Sequence, residues 1–273
     1  MPLTQEHNLV IAGRVFLTGA GPGDPGLLTI KAKEALLTAD VILYDGLVSE
    51  AVLCLSNPAA QLVDVSKRAG HSSLTQGEIN ELLIEHAREG KQVVRLKCGD
   101  PFVFGRGAEE ALALANAGIA WEVIPGVSSG LAASAYAGIP LTHRKLASSV
   151  AFVTGQEDPT KDSTKVDWQN LASAVDTIVI FMGLGQLPQI ALSLIVAGKP
   201  VNTPVAVIES GTYNEQRVMT GTLETISDLV RDFQSPSLIV VGEVVDLSAT
   251  LNWFQPTLRQ FQTESIATSN AVS

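Results

Sequence analysis

Between residues 15 and 29 the chain reads Val-Phe-Leu-Thr-Gly-Ala-Gly-Pro-Gly-Asp-Pro-Gly-Leu-Leu-Thr, a short apolar run, a glycine-rich turn and the opening of a helix. By spacing, Gly21-x-Gly23-x-x-Gly26 satisfies the dinucleotide fingerprint, and Asp45 lies near the offset of ~20 residues at which that fingerprint places its ribose ligand. The chemistry of the turn argues otherwise. A pyrophosphate is held by free backbone N–H groups at a helix start, whereas Pro22 and Pro25 each remove one donor and fix φ. A turn stiffened in this way presents carbonyls and few donors, which suits a cofactor with a cationic or neutral centre, such as a sulfonium, better than a diphosphate. A nicotinamide-dependent dehydrogenase therefore rests on the glycine spacing and Asp45 alone.

Further reactive groups follow other apolar runs: Tyr44-Asp45, Lys67-Arg68, Cys98-Gly99-Asp100-Pro101 and Phe102-Val103-Phe104-Gly105-Arg106-Gly107. Each has an ordinary alternative. Asp45, followed by Gly46, reads as an N-cap or Asx-turn residue, and Lys67 with Arg68 as a solvated basic pair. Cys98 reads as a small buried hydrophobe, Met182 as core, and Glu109 and Glu110 as acids in the first turn of a helix. Arg106 resists such a reading, because an arginine between two glycines and beside two phenylalanines fits a mobile cation over an aromatic-lined pocket.

Elements to carry these groups are legible. Apolar runs at 15–18, 41–44, 62–65, 93–96 and 121–124 alternate with helical patterns at 27–38, 75–89 and 107–117, which predicts a parallel α/β layout. Thr75-x-x-Glu78 is a capping box, and Gly118 stops the third helix. Pro125-Gly126 breaks the rhythm, and strands at 150–154, 177–181, 205–208, 217–220 and 238–241 follow, the turn at 211–215 reading as a hairpin in a mixed sheet. The expected organisation is a flexible tail over 1–13, an α/β domain over 14–125, a second over 126–254 and a disordered tail over 255–273, with a surface loop at 156–167.

With 273 residues, 46% of them hydrophobic and 17% charged, the chain has the make-up of an ordinary globular protein. No run approaches the ~18 apolar residues of a membrane span, residues 1–13 lack the blocks of a signal peptide, and Cys54 and Cys98 suggest no disulfide framework, so a cytoplasmic protein with no membrane partner is expected. A formal charge of −10 argues against nucleic acid, and no metal-ligand spacing is present.

Taken in order, Gly19 to Pro25 with the following Leu-Leu-Thr, Tyr44-Asp45, Lys67-Arg68, Gly99 to Gly107, Pro125-Gly126-Val127-Ser128-Ser129, Ala137 to Arg144, Phe181-Met182-Gly183-Leu184, Glu209-Ser210-Gly211-Thr212 and Leu251-Asn252-Trp253-Phe254 resemble the tetrapyrrole methylases. The resemblance covers roughly residues 14 to 254 and is nearest to the members that methylate uroporphyrinogen III. It implies two α/β domains, with S-adenosyl-L-methionine in the cleft between them. The implied reaction is two successive methylations of uroporphyrinogen III to precorrin-2 for sirohaem or corrinoid synthesis, leaving S-adenosyl-L-homocysteine and using no metal. On the resemblance, Asp45 is the proton acceptor, Lys67 the proton donor and Arg106 an assistant; Pro22, Cys98, Gly99, Asp100, Val103, Ser128, Ser129, Met182 and Gly211 bind the cofactor; and Arg68, Arg106, Glu109 and Arg144 bind the substrate. The substrate is a polycarboxylate, so on a chain of charge −10 the arginines must be gathered at one mouth, where clustered cations outweigh a screened surface.

Two positions depart from the family: Gly46, where many relatives have arginine, and Cys98, where the family usually has glycine. A homodimer is implied, with the dehydrogenase and chelatase steps that are fused in some relatives expected on another chain. Two further readings remain, a methylase of a later corrin intermediate and a tetrapyrrole binder without catalysis.

Overall fold

The computed structural model describes residues 13–66, 74–156 and 166–255. Lys67 and Arg68, nearly all of the tails expected at 1–13 and 255–273, and most of the loop expected at 156–167 lie outside the described residues. The chain divides into two compact units, one ending at Ser128 and the other beginning at Ser129.

In the first unit the elements run β1 (Arg14–Gly19), α1 (Ile30–Thr38), β2 (Val41–Tyr44), α2 (Glu50–Leu53), β3 (Gln61–Asp64), α3 (Gln76–Arg88), β4 (Gln92–Lys97), α4 (Gly107–Asn116) and β5 (Ala120–Ile124). Among the described residues the strands form a five-stranded sheet in the order β3-β2-β4-β1-β5, and every pairing is parallel. Such a sheet must be covered on both faces. On one face Val15, Leu17, Leu43 and Val93 pack against Ile79 and Leu83 of α3 and Leu114 of α4. On the other, Ile42, Val94 and Leu96 pack against Ala35 and Leu36 of α1.

The capping box of α3 forms, with Thr75 accepting from the Glu78 amide and the Glu78 carboxylate accepting from the Thr75 amide. The helix expected over 27–38 starts later. Pro25–Leu27 makes a separate 3-10 turn capped by Asp24, Leu28 is extended, and Thr29 then caps α1.

The second unit contains α5 (Ser129–Tyr136), β6 (Val150–Thr154), α6 (Trp168–Ala174), β7 (Thr177–Phe181), α7 (Leu187–Val196), β8 (Pro204–Glu209), β9 (Arg217–Thr222), α8 (Ile226–Leu229), β10 (Ser237–Val241) and α9 (Ser248–Leu251). Its five-stranded sheet has the order β6-β7-β10-β8-β9 and is mixed, with β6 and β7 parallel and the other pairs antiparallel. Ile178, Ile180, Val205, Val207 and Ile239 pack on Ile190 and Leu194 of α7, while Val179, Ala206, Ile208 and Val240 face Ala133 of α5. The segment after α9 is tied to α5: the Trp253 indole donates to the Ala135 carbonyl at 2.8 Å, and the Tyr136 ring meets Trp253 and Phe254 at centroid distances of 5.0 and 4.8 Å. Among the described residues no helix is long and apolar enough to cross a membrane. Both sheet types agree with the sequence pattern.

Candidate active site at the carboxyl edge of the parallel sheet

Three strands of the first sheet end in glycine backbones pressed together. A Cβ on Gly19 would lie 2.5 Å from the Gly126 Cα and from the Gly99 carbonyl oxygen, and one on Gly126 would lie 2.2 Å from that oxygen. Gly21 and Gly99 exchange amide–carbonyl bonds at 3.2 and 2.8 Å, which ties the turn after β1 to the loop after β4. Asp100 extends the tie, accepting from the Phe102 amide at 2.8 Å through one oxygen and from the Gly126 amide at 3.1 Å through the other. The Gly21 amide is taken by the Gly99 carbonyl, those of Gly26 and Leu27 by Asp24 and that of Leu28 by Pro25, and Pro22 and Pro25 have none. A diphosphate needs a nest of outward N–H groups, so this donor set fits a sulfonium nucleoside and not a dinucleotide.

Beside this knot a cleft of about 890 Å³ opens over the ends of β2 and β4, lined by Tyr44, Asp45, Gly46, Ser66, Lys97, Phe104 and Arg106 among others. Asp45 stands at the end of β2 with a third of its side chain exposed. The N-cap alternative for Asp45 falls away, since Ser49 caps α2. Its carboxylate instead pairs with the Arg95 guanidinium and lies 3.9 Å from the Lys97 ammonium.

Arg95 and Lys97 are two apart on β4, so they share the face that carries Val93 and is covered by α3 and α4. Both are buried, and beneath them α4 presents Glu110, whose side chain is fully enclosed. Glu110 Oε1 accepts from Arg95 Nε at 2.9 Å and Lys97 Nζ at 3.0 Å. Burial alone would lower the Arg95 pKa, yet Asp45 and then Glu110 outweigh it and the net direction is up. Lys97 goes the other way: burial and the Arg95 charge push it below its ordinary value, with Glu110 and Asp45 opposing them. The neighbouring Cys98 thiol is pushed up to about 11, first by burial and then by Asp45, which removes it as a nucleophile at neutral pH.

Arg106 takes a left-handed conformation, φ 57°, at the start of α4. Gly105 and Gly107 flank it because a Cβ on either would stand 2.7 or 2.5 Å from the Pro101 carbonyl oxygen. The mobile cation expected here is held: its guanidinium bonds both oxygens of Glu109 at 2.9 and 2.8 Å, with Phe102 and Phe104 exposed alongside. Gly46 faces Ser66, whose Cβ would be 2.9 Å from a Cβ at that position and whose hydroxyl donates to Asp64 at 2.5 Å. An arginine there would have to displace this turn.

Asp45 and Arg106 thus line one cleft, while Pro22, Gly99 and Asp100 gather at the glycine knot, with Val103 half-buried in the next turn and Ser128 buried. In the second unit Met182 follows β7 at φ 54° and is half exposed, and Arg144 lies exposed after β-bridge residue His143. Gly211 has a reason internal to its own unit, since a Cβ would meet the Ala133 Cβ at 2.4 Å. Arg95, Lys97 and Glu110 went unnoticed in the sequence, where Glu110 read as a helix first-turn acid. The available signal was two cations of one parity in an otherwise apolar strand, a pattern that demands a buried acid.

An acid, two cations and a glycine knot at the carboxyl ends of parallel strands define a small-molecule site of the open α/β kind. The family model for Tetrapyrrole (Corrin/Porphyrin) Methylases matches residues 14–227, and the chain belongs to that family. It is 51% identical over 237 residues to the S-adenosyl-L-methionine-dependent uroporphyrinogen III methyltransferase of Methanosarcina barkeri, covering 86% of this chain and 93% of the relative. It is 52% identical over 242 residues to siroheme synthase of Tolumonas auensis, covering 89% of this chain and 51% of that protein, so the chain spans about half the length of the siroheme synthases it matches. Among solved structures it is similar to the uroporphyrin-III C-methyl transferase of Thermus thermophilus complexed with S-adenosylhomocysteine. There the TM-score is 0.74 at 42% identity, over 86% of this chain and 100% of that one.

Proposed function

We propose that the chain is an S-adenosyl-L-methionine-dependent uroporphyrinogen-III C-methyltransferase. It would place two methyl groups in succession on ring carbons of uroporphyrinogen III, giving precorrin-2 and S-adenosyl-L-homocysteine. The observation that carries this reading is the 51% identity along 93% of the Methanosarcina barkeri methyltransferase. A bound sulfonium supplies a methyl group that is already activated. The protein is then asked chiefly to position the electron-rich pyrrole carbon, a contribution that can supply ~7–11 kcal/mol.

In this reading each methyl taken from the sulfonium leaves a positive charge on the macrocycle, which is discharged by loss of one proton, from a position other than the methylated carbon, to Asp45 at the mouth of the cleft; Lys67 is the proton donor for the accompanying tautomerisation. Arg106, Arg68 and Arg144 receive substrate carboxylates, and Glu109, paired with Arg106 in the structure, exchanges for one of them. Pro22, Cys98, Gly99, Asp100, Val103 and Ser128 of the first unit and Ser129, Met182 and Gly211 of the second are the cofactor-binding residues. Residues 14–125 and 126–254 act as two domains, and the protein works as a homodimer in the cytoplasm. Support for the location comes from two free cysteines and from the lack, among the described residues, of a helix fit to cross a membrane.

One assay decides the reading. Uroporphyrinogen III incubated with labelled S-adenosylmethionine should gain two methyl groups by mass analysis; a tetrapyrrole returned unchanged, or NAD displacing S-adenosylhomocysteine one for one, refutes it.

A further inference from the structure

Glu110 is fully enclosed, although Arg106, one helical turn earlier on α4, is exposed. Its two oxygens are used unequally. Oε1 accepts from Arg95 Nε at 2.9 Å, Lys97 Nζ at 3.0 Å and Gln76 Nε2 at 3.2 Å, while Oε2 is buried with no hydrogen-bond partner among the described residues. A carboxylate present only to neutralise an arginine would engage the fork with both oxygens. Here the guanidinium is gripped side-on through Nε, which leaves its outer nitrogen for Asp45 and its remaining nitrogen for the Leu43 and Leu96 carbonyls at 3.4 and 3.3 Å. The grip also draws Lys97 to within 3.9 Å of Asp45.

We propose that Glu110 is a positioning residue for methyl transfer, turning the Arg95 guanidinium and the Lys97 ammonium onto Asp45 from a place that no substrate reaches. The inference rests on the reading of Asp45 as proton acceptor. Two cations and two anions balance in this cluster. The groups facing Lys97 are Arg95 on its own strand, Asp45 beyond β2, and Glu110 on α4, with Glu109 of the same helix within electrostatic reach; α3 contributes the neutral Gln76. Taking away the Glu110 charge removes one of the two anions that keep Lys97 protonated against burial and Arg95. Lys97 then loses its proton at lower pH.

Glu110→Gln keeps the shape and the accepting oxygen and removes the charge. In single-turnover transfer of labelled methyl to uroporphyrinogen III, it should lower the rate about ten- to a hundredfold with S-adenosylhomocysteine affinity unchanged. The alkaline limb of the pH–rate profile should move down by about one unit. Glu110→Asp retains the charge, so it should slow the reaction with the limb in place. Introduced into Asp45→Asn, Glu110→Gln should change the residual rate less than about twofold, because its target is gone. A slowed enzyme with an unmoved alkaline limb, or an equal loss in the Asp45→Asn background, overturns the proposal. Near-parent turnover in Asp45→Asn alone refutes the base assignment instead, so the two failures are distinct. Should Glu110→Gln not fold, Arg95→Lys keeps every charge and loses the side-on grip; parent-level turnover in it overturns the proposal equally.

Discussion

The two five-stranded sheets treat charge in opposite ways. Under the ends of the first, Arg95, Lys97 and Glu110 occupy positions that face the helices and should be core. The comparable interior of the second, Ile178, Ile180, Val205, Val207 and Val241 against Leu187 and Leu194, is apolar. Its ion pairs, Arg217 with Glu209 and Asp232 and Arg231 with Asp228, lie at the surface. Several kcal/mol per ion are lost on burying a charge, and attraction returns that only where geometry is good. The second unit shows that this chain can close a sheet with aliphatic packing alone. The first accepts buried ions because they fix an acid at the mouth of a cleft.

The largest effect should come from that acid. If Asp45 takes the proton, Asp45→Asn should lower the methyl-transfer rate by roughly 10²–10⁴ while S-adenosylhomocysteine and tetrapyrrole still bind, read by single-turnover kinetics and calorimetry. Near-normal turnover would leave Asp45 as a strand-end residue paired to Arg95 and nothing more.

A second experiment makes the first sheet resemble the other. The triple variant Arg95→Met, Lys97→Met, Glu110→Leu should be as stable as the parent or more so by about 1–4 kcal/mol, and catalytically dead, because a buried ion network often stabilises less than apolar packing of similar volume. Glu110→Ala alone leaves two buried cations to share Asp45 and should cost about 3–5 kcal/mol. Leu194→Ala in the second unit, a cavity with no electrostatic part, should cost about 2–5 kcal/mol. If the triple variant lost as much stability as Leu194→Ala in denaturant titration, the ions would be structural and the contrast between the sheets would fail.

What could be read in the sequence follows from range. Strands such as 41–44 and 177–181 and the capping box at Thr75 announce themselves through neighbours a few residues apart, and the structure has them where they were expected. The parallel and mixed sheets followed from whether helices or a turn joined consecutive strands. The start of α1 was misjudged because Leu27 and Leu28 continue its apolar pattern, although Asp24 caps a separate turn ahead of them. The ion cluster is a different failure. Its members lie at 45, 95, 97 and 110, brought together by register and by the side of the sheet that α4 covers, and a first-turn glutamate looks the same in sequence whether it meets water or an arginine. At Gly211 the sequence shows a glycine but not its local reason, which is Ala133, more than seventy residues earlier, already excluding a Cβ.

A middling effect is expected at the rim of the cleft. Arg106→Ala should weaken tetrapyrrole binding by about 1.5–3 kcal/mol, ten- to a hundredfold, without touching S-adenosylhomocysteine affinity, since a charge-assisted contact to a carboxylate is lost. The Glu109 pairing adds a sharper version. Because Glu109 holds the guanidinium through both oxygens, a substrate carboxylate must displace it, and Glu109→Gln should tighten tetrapyrrole binding. Weaker binding in Glu109→Gln would mean that the pair presents the arginine to the substrate and does not compete for it.

The smallest effect belongs to the surface charges of the second unit, and its sign is fixed by Asp176. One carboxylate oxygen accepts from the Ser148 amide at 2.8 Å, the Ser149 amide at 3.0 Å and the Ser149 hydroxyl at 2.9 Å, tying the approach to β6 to the approach to β7. The Ser148 amide, then the Ser149 hydroxyl, hold its pKa below the ordinary 3.8. A carboxyl group depressed on folding contributes its full stabilisation above the unfolded value, and that contribution fades as the pH falls through the folded value. Thermal unfolding should therefore show Asp176→Asn less stable than the parent above about pH 4, with the gap closing on further acidification. The carboxylate is exposed, so salt should also narrow the gap, unlike any change made to the buried ions of the first sheet. A gap that stayed constant through the acid range would show that Asp176 acts by its shape as a turn residue and not by its charge.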